Sequence, residues 1–319
     1  MNFVSRVFVA LATCAFAAAG QAQNLSIGTG GTGGVYYPLG GGIAAVLSKY
    51  VPGMQATAEV TGGSVANLQL VGTGKPYLAM TMADAGLDAY KGQQKFQGKA
   101  VPVRTLMVMY PNRMHVVSIT ATGIKSIADL KGKRVSTGSG GSATEVMAFR
   151  VIEAAGLDKD KDMTRERLGV AESVNALKDR KIDAFFWVGG LPTAAVTDLA
   201  NSPGVTIQMI DHAELVPAMN KKWGELYVKD VISKDVYRGM AADNHQATVT
   251  NLLVAHESMD TQTAYNIVKA IFEHREELIR VHKEAANFVL EKQKTAATGG
   301  IPWHPGALKY FAEKGVKLD

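Results

Sequence analysis

Cysteine is almost missing from this 319-residue chain: Cys14 is the only one. It lies in an N-terminal segment with Arg6, an apolar stretch from Val7 to Ala19, and then Gly20-Gln21-Ala22. Small residues three and one before a cut are the layout of a secretory signal peptide, so residues 1–22 are predicted to be removed near Ala22 and the product to be exported to the periplasm. A retained anchor would need a longer apolar run with charge on both flanks. A lipidated Cys14 would follow Thr13, which is large for that position, and apolar residues continue past it. With Cys14 gone, a disulfide framework, a thiolate zinc site and a cysteine nucleophile are excluded. No later run reaches the roughly eighteen apolar residues of a membrane helix. The mature chain is expected to be soluble and held together by its core, for which a hydrophobic content of 47% suffices.

Strong charge is also lacking. Lys and Arg total 34 against 29 Asp and Glu, a net +5, and the basic residues are scattered rather than interleaved with aromatics on one element. That argues against nucleic acid as a partner. Lys131-Gly132-Lys133-Arg134 reads as a solvated turn. The seven histidines are dispersed and form no H-E-x-x-H, and neither Ser64 nor Ser142 sits in a G-x-S-x-G elbow. No catalytic residue, metal site or cofactor is therefore expected, and the chain is read as a binder, not an enzyme.

What is abundant is glycine, 33 residues, concentrated in loops between strand and helix patterns. Leu25–Ile27 reads as a strand, followed by Gly28-Thr29-Gly30-Gly31-Thr32-Gly33-Gly34 and a helix with Leu39, Ile43, Leu47 and Tyr50 on one face. Pro52-Gly53 ends that helix. Strand Ala56–Thr61, a short helix from Ser64, strand Tyr77–Thr81, a helix capped by Asp84 and strand Val103–Tyr110 follow. This alternation predicts a parallel sheet covered on both faces. After Tyr110-Pro111-Asn112-Arg113 a second unit starts. It comprises strand His115–Ile119, a helical turn at 126–130, strand Lys133–Thr137, a second glycine loop at 138–142 and a helix ending at Gly156. Helix Glu172–Arg180, strand Ile182–Val188, a helix over about 192–200 and strand Val205–Ile210 complete it. Ala247–Ala255 returns to the first unit, Asp260 N-caps a long helix through Val281, and helices at 285–292 and 305–313 close the chain. The fold class is α/β with two lobes, 23–113 plus 252–319 and 114–251, joined by two crossing segments that form a hinge.

Glycine loops opening helices let backbone N–H groups converge on a small oxyanion. Gly28-Thr-Gly30-Gly-Thr-Gly33 matches the dinucleotide pattern G-x-G-x-x-G, but the acidic residue a dinucleotide fold wants comes late, at Glu59, and export removes the chain from nucleotides. A P-loop would need Lys at Gly34. A small carboxylate fits better. The candidate ligand-binding residues are Thr32, Gly33, Tyr36, Ser64 and Asn67 on one lobe and Ser139, Gly141, Ser142, Thr144, Trp187 and Gly189 on the other. Ser142-Ala-Thr-Glu145 also reads as a capping box in which Glu145 folds back. Of Tyr36, Tyr37, Phe186 and Trp187, one or two should touch solute, the rest packing in the core. Arg113, beside the hinge, is a candidate carboxylate partner or a surface residue.

Ile27-Gly-Thr-Gly-Gly-Thr-Gly-Gly-Val-Tyr-Tyr-Pro-Leu-Gly-Gly41 and Thr61-Gly-Gly-Ser-Val-Ala-Asn-Leu68 resemble the solute-binding proteins of the TAXI subclass of TRAP transporters. So do Asp129–Val135, Gly141–Thr144, Asp183–Phe186 and Ala264–Phe272. The resemblance covers the mature chain. It implies a periplasmic binding-protein fold of type II kind, capture of a small organic anion such as an amino acid or dicarboxylate, and delivery to TRAP-type permease subunits driven by an ion gradient. An ABC-importer receptor would share the fold and the signal; a secreted enzyme is the remoter reading. Two positions depart from the family. Met82 and Ala83 stand where polar residues are usual, which implies a less polar or differently oriented solute. Ala143 stands where the family has glycine, a constraint if that position needs φ > 0.

Overall fold

The computed structural model describes residues 23–75 and 77–319; the signal-peptide expectation and Cys14 lie outside the described residues. Strands are β1 (Gln23–Gly28), β2 (Met54–Glu59), β3 (Tyr77–Met82), β4 (Val103–Ile119), β5 (Arg134–Ser136), β6 (Thr164–Glu166), β7 (Ala184–Gly189), β8 (Ile207–Met209), β9 (Tyr227–Ile232) and β10 (Asn244–His256). Helices are α1 (Tyr36–Tyr50), α2 (Ser64–Val71), α3 (Ala83–Lys91), α4 (Ala143–Ala154), α5 (Val170–Lys178), α6 (Ala194–Asn201), α7 (Val216–Trp223), α8 (Thr261–Glu273), α9 (Arg275–Val281) and α10 (Pro305–Glu313).

One sheet runs through the molecule in the order β2-β1-β3-β10-β4-β7-β5-β6, with β8 beside β4 and β9 beside β10. The outer strands are parallel, β1 with β2 and β3, and β5 with β6 and β7. The two central strands run antiparallel to their neighbours. The expected all-parallel sheet is thus corrected to a mixed one. The reason is that β4 and β10 are the crossing segments themselves, each long enough to serve both lobes. β4 also runs unbroken where two strands and a break were expected. Pro111 cannot donate to a ladder, and the sheet absorbs it with a shift in register: Thr250 faces Pro111, while Leu252 faces Val108. A bulge of this kind turns side chains out of the regular alternation.

Amphipathic helices cover both faces. Leu39, Ile43 and Leu47 of α1 are fully buried, each contributing about 1.5–3 kcal/mol by leaving water. Asp260 caps α8 by accepting from the Thr263 N–H at 2.8 Å. The long helix expected from there is interrupted at His274, giving α8 and α9, and the expected helix at 285–292 is instead a series of single 3-10 turns. α7 and β9 carry no strong periodicity and escaped the sequence reading. Asp84 does not cap α3 from outside; it lies in the first turn and is fully buried.

There Asp84 and Asp88 face Arg150 of α4, at 3.5 Å and 2.6 Å. Tyr227 of β9 donates to Asp84 at 2.7 Å and accepts from Arg150 at 2.6 Å. The Arg150 guanidinium also lies over the Trp223 ring, 4.6 Å from its centroid. Burial pushes the Asp88 carboxyl up to about 6, against the pull of Arg150. The cluster ties α3 to α4 and β9. Arg150→Met should lower stability by about 3–5 kcal/mol, because two buried carboxylates lose their counter-charge. Urea unfolding checks this, and a loss under about 1 kcal/mol would contradict it.

Candidate ligand cavity between the lobes

Between the two lobes lies a cavity of about 400 Å³, within the roughly 300–1,000 Å³ usual for small-molecule sites. The starts of α1, α2, α4 and α5 all reach its wall, through Tyr36, Ser64, Thr144 and Val170. The first N–H groups of a helix have no intrahelical partner and carry the positive end of its dipole. Four such ends around one small space favour an anion. Val60, Met82, Leu168 and Val188 supply apolar wall between them.

The lobes touch around this space. The Ser139 hydroxyl donates to the Gly62 carbonyl at 3.0 Å, the Ala66 N–H to the Gly141 carbonyl at 3.0 Å, and the Ala195 N–H to the Gly33 carbonyl at 3.3 Å. Glycine is required where the approach is closest. A Cβ at Gly62 would lie 2.6 Å from the Gly140 carbonyl oxygen, and one at Gly34 would lie 2.7 Å from Cη2 of the Trp187 indole. The glycine loops therefore serve first as the surfaces on which one lobe meets the other.

Tyr36, Ser64, Ser139, Ser142, Thr144, Trp187 and Gly189 line the cavity. Four other candidates do not, and their expected place is corrected. Thr32 is exposed and is not part of the wall. Gly33 packs its backbone against Ala171 and Ala195. Asn67 is buried, its amide nitrogen donating to the Thr29 and Met80 carbonyls at 2.7 and 2.9 Å, which joins β1, β3 and α2. Gly141 gives its carbonyl to Ala66 and takes φ +83°, a turn position. Tyr37 points outward and Phe186 lies in the core.

Ser142 is the N-cap of α4, accepting from the Glu145 N–H at 3.1 Å. Glu145 does not fold back to complete a capping box. Its buried carboxylate pairs with Arg167 at 2.7 Å, Arg165 at 3.2 Å and Lys95 at 3.5 Å. Ala143 is the first residue of that helix, so its methyl brings no strain: among described non-glycine residues only Gln94 and Arg180 have positive φ. Arg113 does not reach the cavity, being held by Asp230 at 2.9 Å and Glu284 at 3.5 Å. The basic side chain at the wall is Arg167, from the loop after β6. Its neighbours Arg165-Glu166 and Leu168-Gly169 form no motif, and only its place before a helix start could have marked it. Tyr110, Asn112, Gly169 and Glu172 also line the wall and escaped the sequence reading.

Trp187 is fixed from behind. Its indole N–H donates to the Thr193 hydroxyl at 2.8 Å, the Thr193 N–H to Tyr237 Oη at 2.9 Å, and the Tyr237 hydroxyl to Nε2 of His115 at 3.0 Å. Nδ1–H of His115 donates to the Arg113 carbonyl at 2.9 Å. Burial favours the neutral imidazole, lowering its pKa to about 4, with Arg113 and His212 pushing the same way.

A cleft between two α/β lobes joined by two strands, lined by helix starts, defines the architecture of the periplasmic solute-binding proteins. The chain belongs to the NMT1-like family, which it matches over residues 27–315. Among solved structures it is similar to the periplasmic binding protein BugD, with 12% identity, a TM-score of 0.55 and coverage of 92% of this chain and 94% of that one. It is also similar to a protein from Bordetella bronchiseptica RB50, at 20% identity and TM-score 0.54 over 91% and 89% of the chains. A third likeness is to a binding protein component of an ABC phosphonate transporter from Pseudomonas aeruginosa, at 11% identity and TM-score 0.50 over 83% and 79%.

The His115 chain makes stability pH-dependent. An unfolded histidine takes its proton near 6.5, the folded one only near 4. Stability present above pH 6.5 is therefore lost as pH falls towards 4, by up to about 3 kcal/mol. In urea unfolding at pH 7.5 and 4.5, His115→Gln should show a smaller loss on acidification than the unmodified chain. An identical loss would contradict the assignment.

Proposed function

We propose that this protein is an exported solute receptor that closes two lobes, 23–113 plus 252–319 and 114–251, on a small organic anion and presents it to a membrane transporter. The observation that carries the reading is the single cavity wall built from four helix starts contributed by both lobes. An anion bridging those starts favours the closed form by as much as it prefers that form, and no more. Tyr36, Ser64, Ser139, Ser142, Thr144, Trp187 and Gly189 are the proposed contacts, with Arg167 added. Binding takes place without turnover.

For the transporter, two readings stand. The TAXI-like motifs favour an ion-gradient-driven TRAP permease. The likeness to a phosphonate receptor of an ABC transporter favours an ABC importer, and on the fold comparisons this is the better backed. Once a solute is known, uptake by whole cells separates them: loss on ATP depletion with the ion gradient intact assigns the importer, and loss on collapsing the gradient assigns the permease.

Thermal melting against a panel of carboxylic, sulfonic and phosphonic acids and amino acids tests the ligand class. A binder should raise the melting temperature as RT ln(1 + [L]/Kd), about 2.7 kcal/mol of stabilisation at one hundred times Kd. A flat response to every acid, with a shift for a neutral sugar or a metal ion, would overturn the proposal.

A further inference from the structure

The floor of the cavity is made where β4 and β10 cross, and it holds polar groups that the protein leaves unpaired. The Tyr110 hydroxyl and Oδ1 of Asn112 have no hydrogen-bond partner among the described residues, yet these side chains are only 1% and 2% exposed and both line the cavity. Buried polar atoms are nearly always paired, and leaving one unmade costs about 1–3 kcal/mol. Nδ2 of Asn251 is also unpaired, but Asn251 does not line the cavity. Nδ2 of Asn112 donates to Oδ1 of Asn251 at 3.0 Å, and the Tyr36 hydroxyl donates to the same oxygen. Two residues apart on β4, Tyr110 and Asn112 project from the same face of the strand.

The free pair consists of a hydroxyl able to donate and an amide oxygen able only to accept. An ionised carboxylate offers no donor and would leave Asn112 unsatisfied. An ammonium would satisfy it, but the one acid on the wall, Glu172, belongs to α5, and Glu284, which lies beside Tyr110, is already paired with Arg113 at 3.5 Å. A hydroxyl or a carboxamide supplies donor and acceptor together. The apolar wall at Val60, Met82 and Val188 leaves the middle of the ligand to hydrocarbon.

Building on the receptor reading above, we infer that the solute is an organic acid whose far end carries a neutral hydroxyl or carboxamide, seated on Tyr110 and Asn112, and that dicarboxylates are poor ligands. Calorimetric titration with ω-substituted straight-chain acids of five and eight carbons tests this, the end group being methyl, hydroxyl, carboxamide, carboxylate or ammonium. The hydroxyl or carboxamide member should bind about tenfold more tightly than the methyl member, and the dicarboxylate more weakly than either. In Tyr110→Phe and Asn112→Val the hydroxyl-to-methyl preference should fall to within about twofold. Tyr110→Phe should also melt, without ligand, no lower than the unmodified chain, because its hydroxyl has no partner to lose. Tightest binding by the dicarboxylate or the ammonium acid, a preference surviving in both variants, or a clear drop in melting temperature for Tyr110→Phe would overturn the inference. Binding of all acids without preference would overturn it while leaving the receptor reading intact. No binding by any acid of either length, with other anion classes also inert, would overturn both.

Discussion

The close approach of two glycine loops is the constraint on which this molecule turns. Gly34 lets the indole of Trp187 lie against the first lobe, and Gly62 lets the carbonyl of Gly140 come within van der Waals reach of its Cα. Any side chain at either place would hold the lobes apart. Because they meet, a cavity forms between them, and within it helix dipoles act in surroundings where water screens them less. The same contact aligns Ser139 with Gly62 and Ala66 with Gly141. The walls of the site are therefore a consequence of lobe contact and not of either lobe alone.

Contacts away from the cavity support that arrangement. The Arg150 cluster joins α3 to α4 and β9 on one side. On the other, the Leu191 N–H donates to Glu284 at 2.7 Å and Arg113 reaches the same carboxylate, which brings the C-terminal turns against the loop after β7. Arg113 is thus tied to β9 and the C-terminal turns and does not line the cavity. Trp187 shows how a wall residue is held by partners, Thr193, Tyr237 and His115, that do not themselves line the cavity.

Much of the fold was legible because its signals are local. The 3.6-residue period of Leu39, Ile43 and Leu47, the cap at Asp260 and the strand before each glycine loop depend on neighbours in sequence. The direction of β4 and β10 was not legible, since parallel and antiparallel strands share one side-chain alternation. Pro111-Asn112-Arg113 reads as a break because proline breaks most strands, and only a partner strand with a bulge can absorb it. For the site, Ser142 and Trp187 stood at recognisable helix and strand ends. Thr32 lay in the right loop and Asn67 on the right helix, but Asn67 turns its amide inward to the Thr29 and Met80 carbonyls. Tyr110, Asn112 and Arg167 carried no motif, being brought to the wall by strand crossing and sheet order.

The central claim is that the lobes close around the ligand, and small-angle X-ray scattering with and without a bound acid tests it most directly. A chain that opens when empty should give a larger radius of gyration alone, and saturating acid should bring its scattering curve onto that of the closed form described above. Identical curves in both conditions, for an acid shown to bind, would contradict a two-lobed clamp.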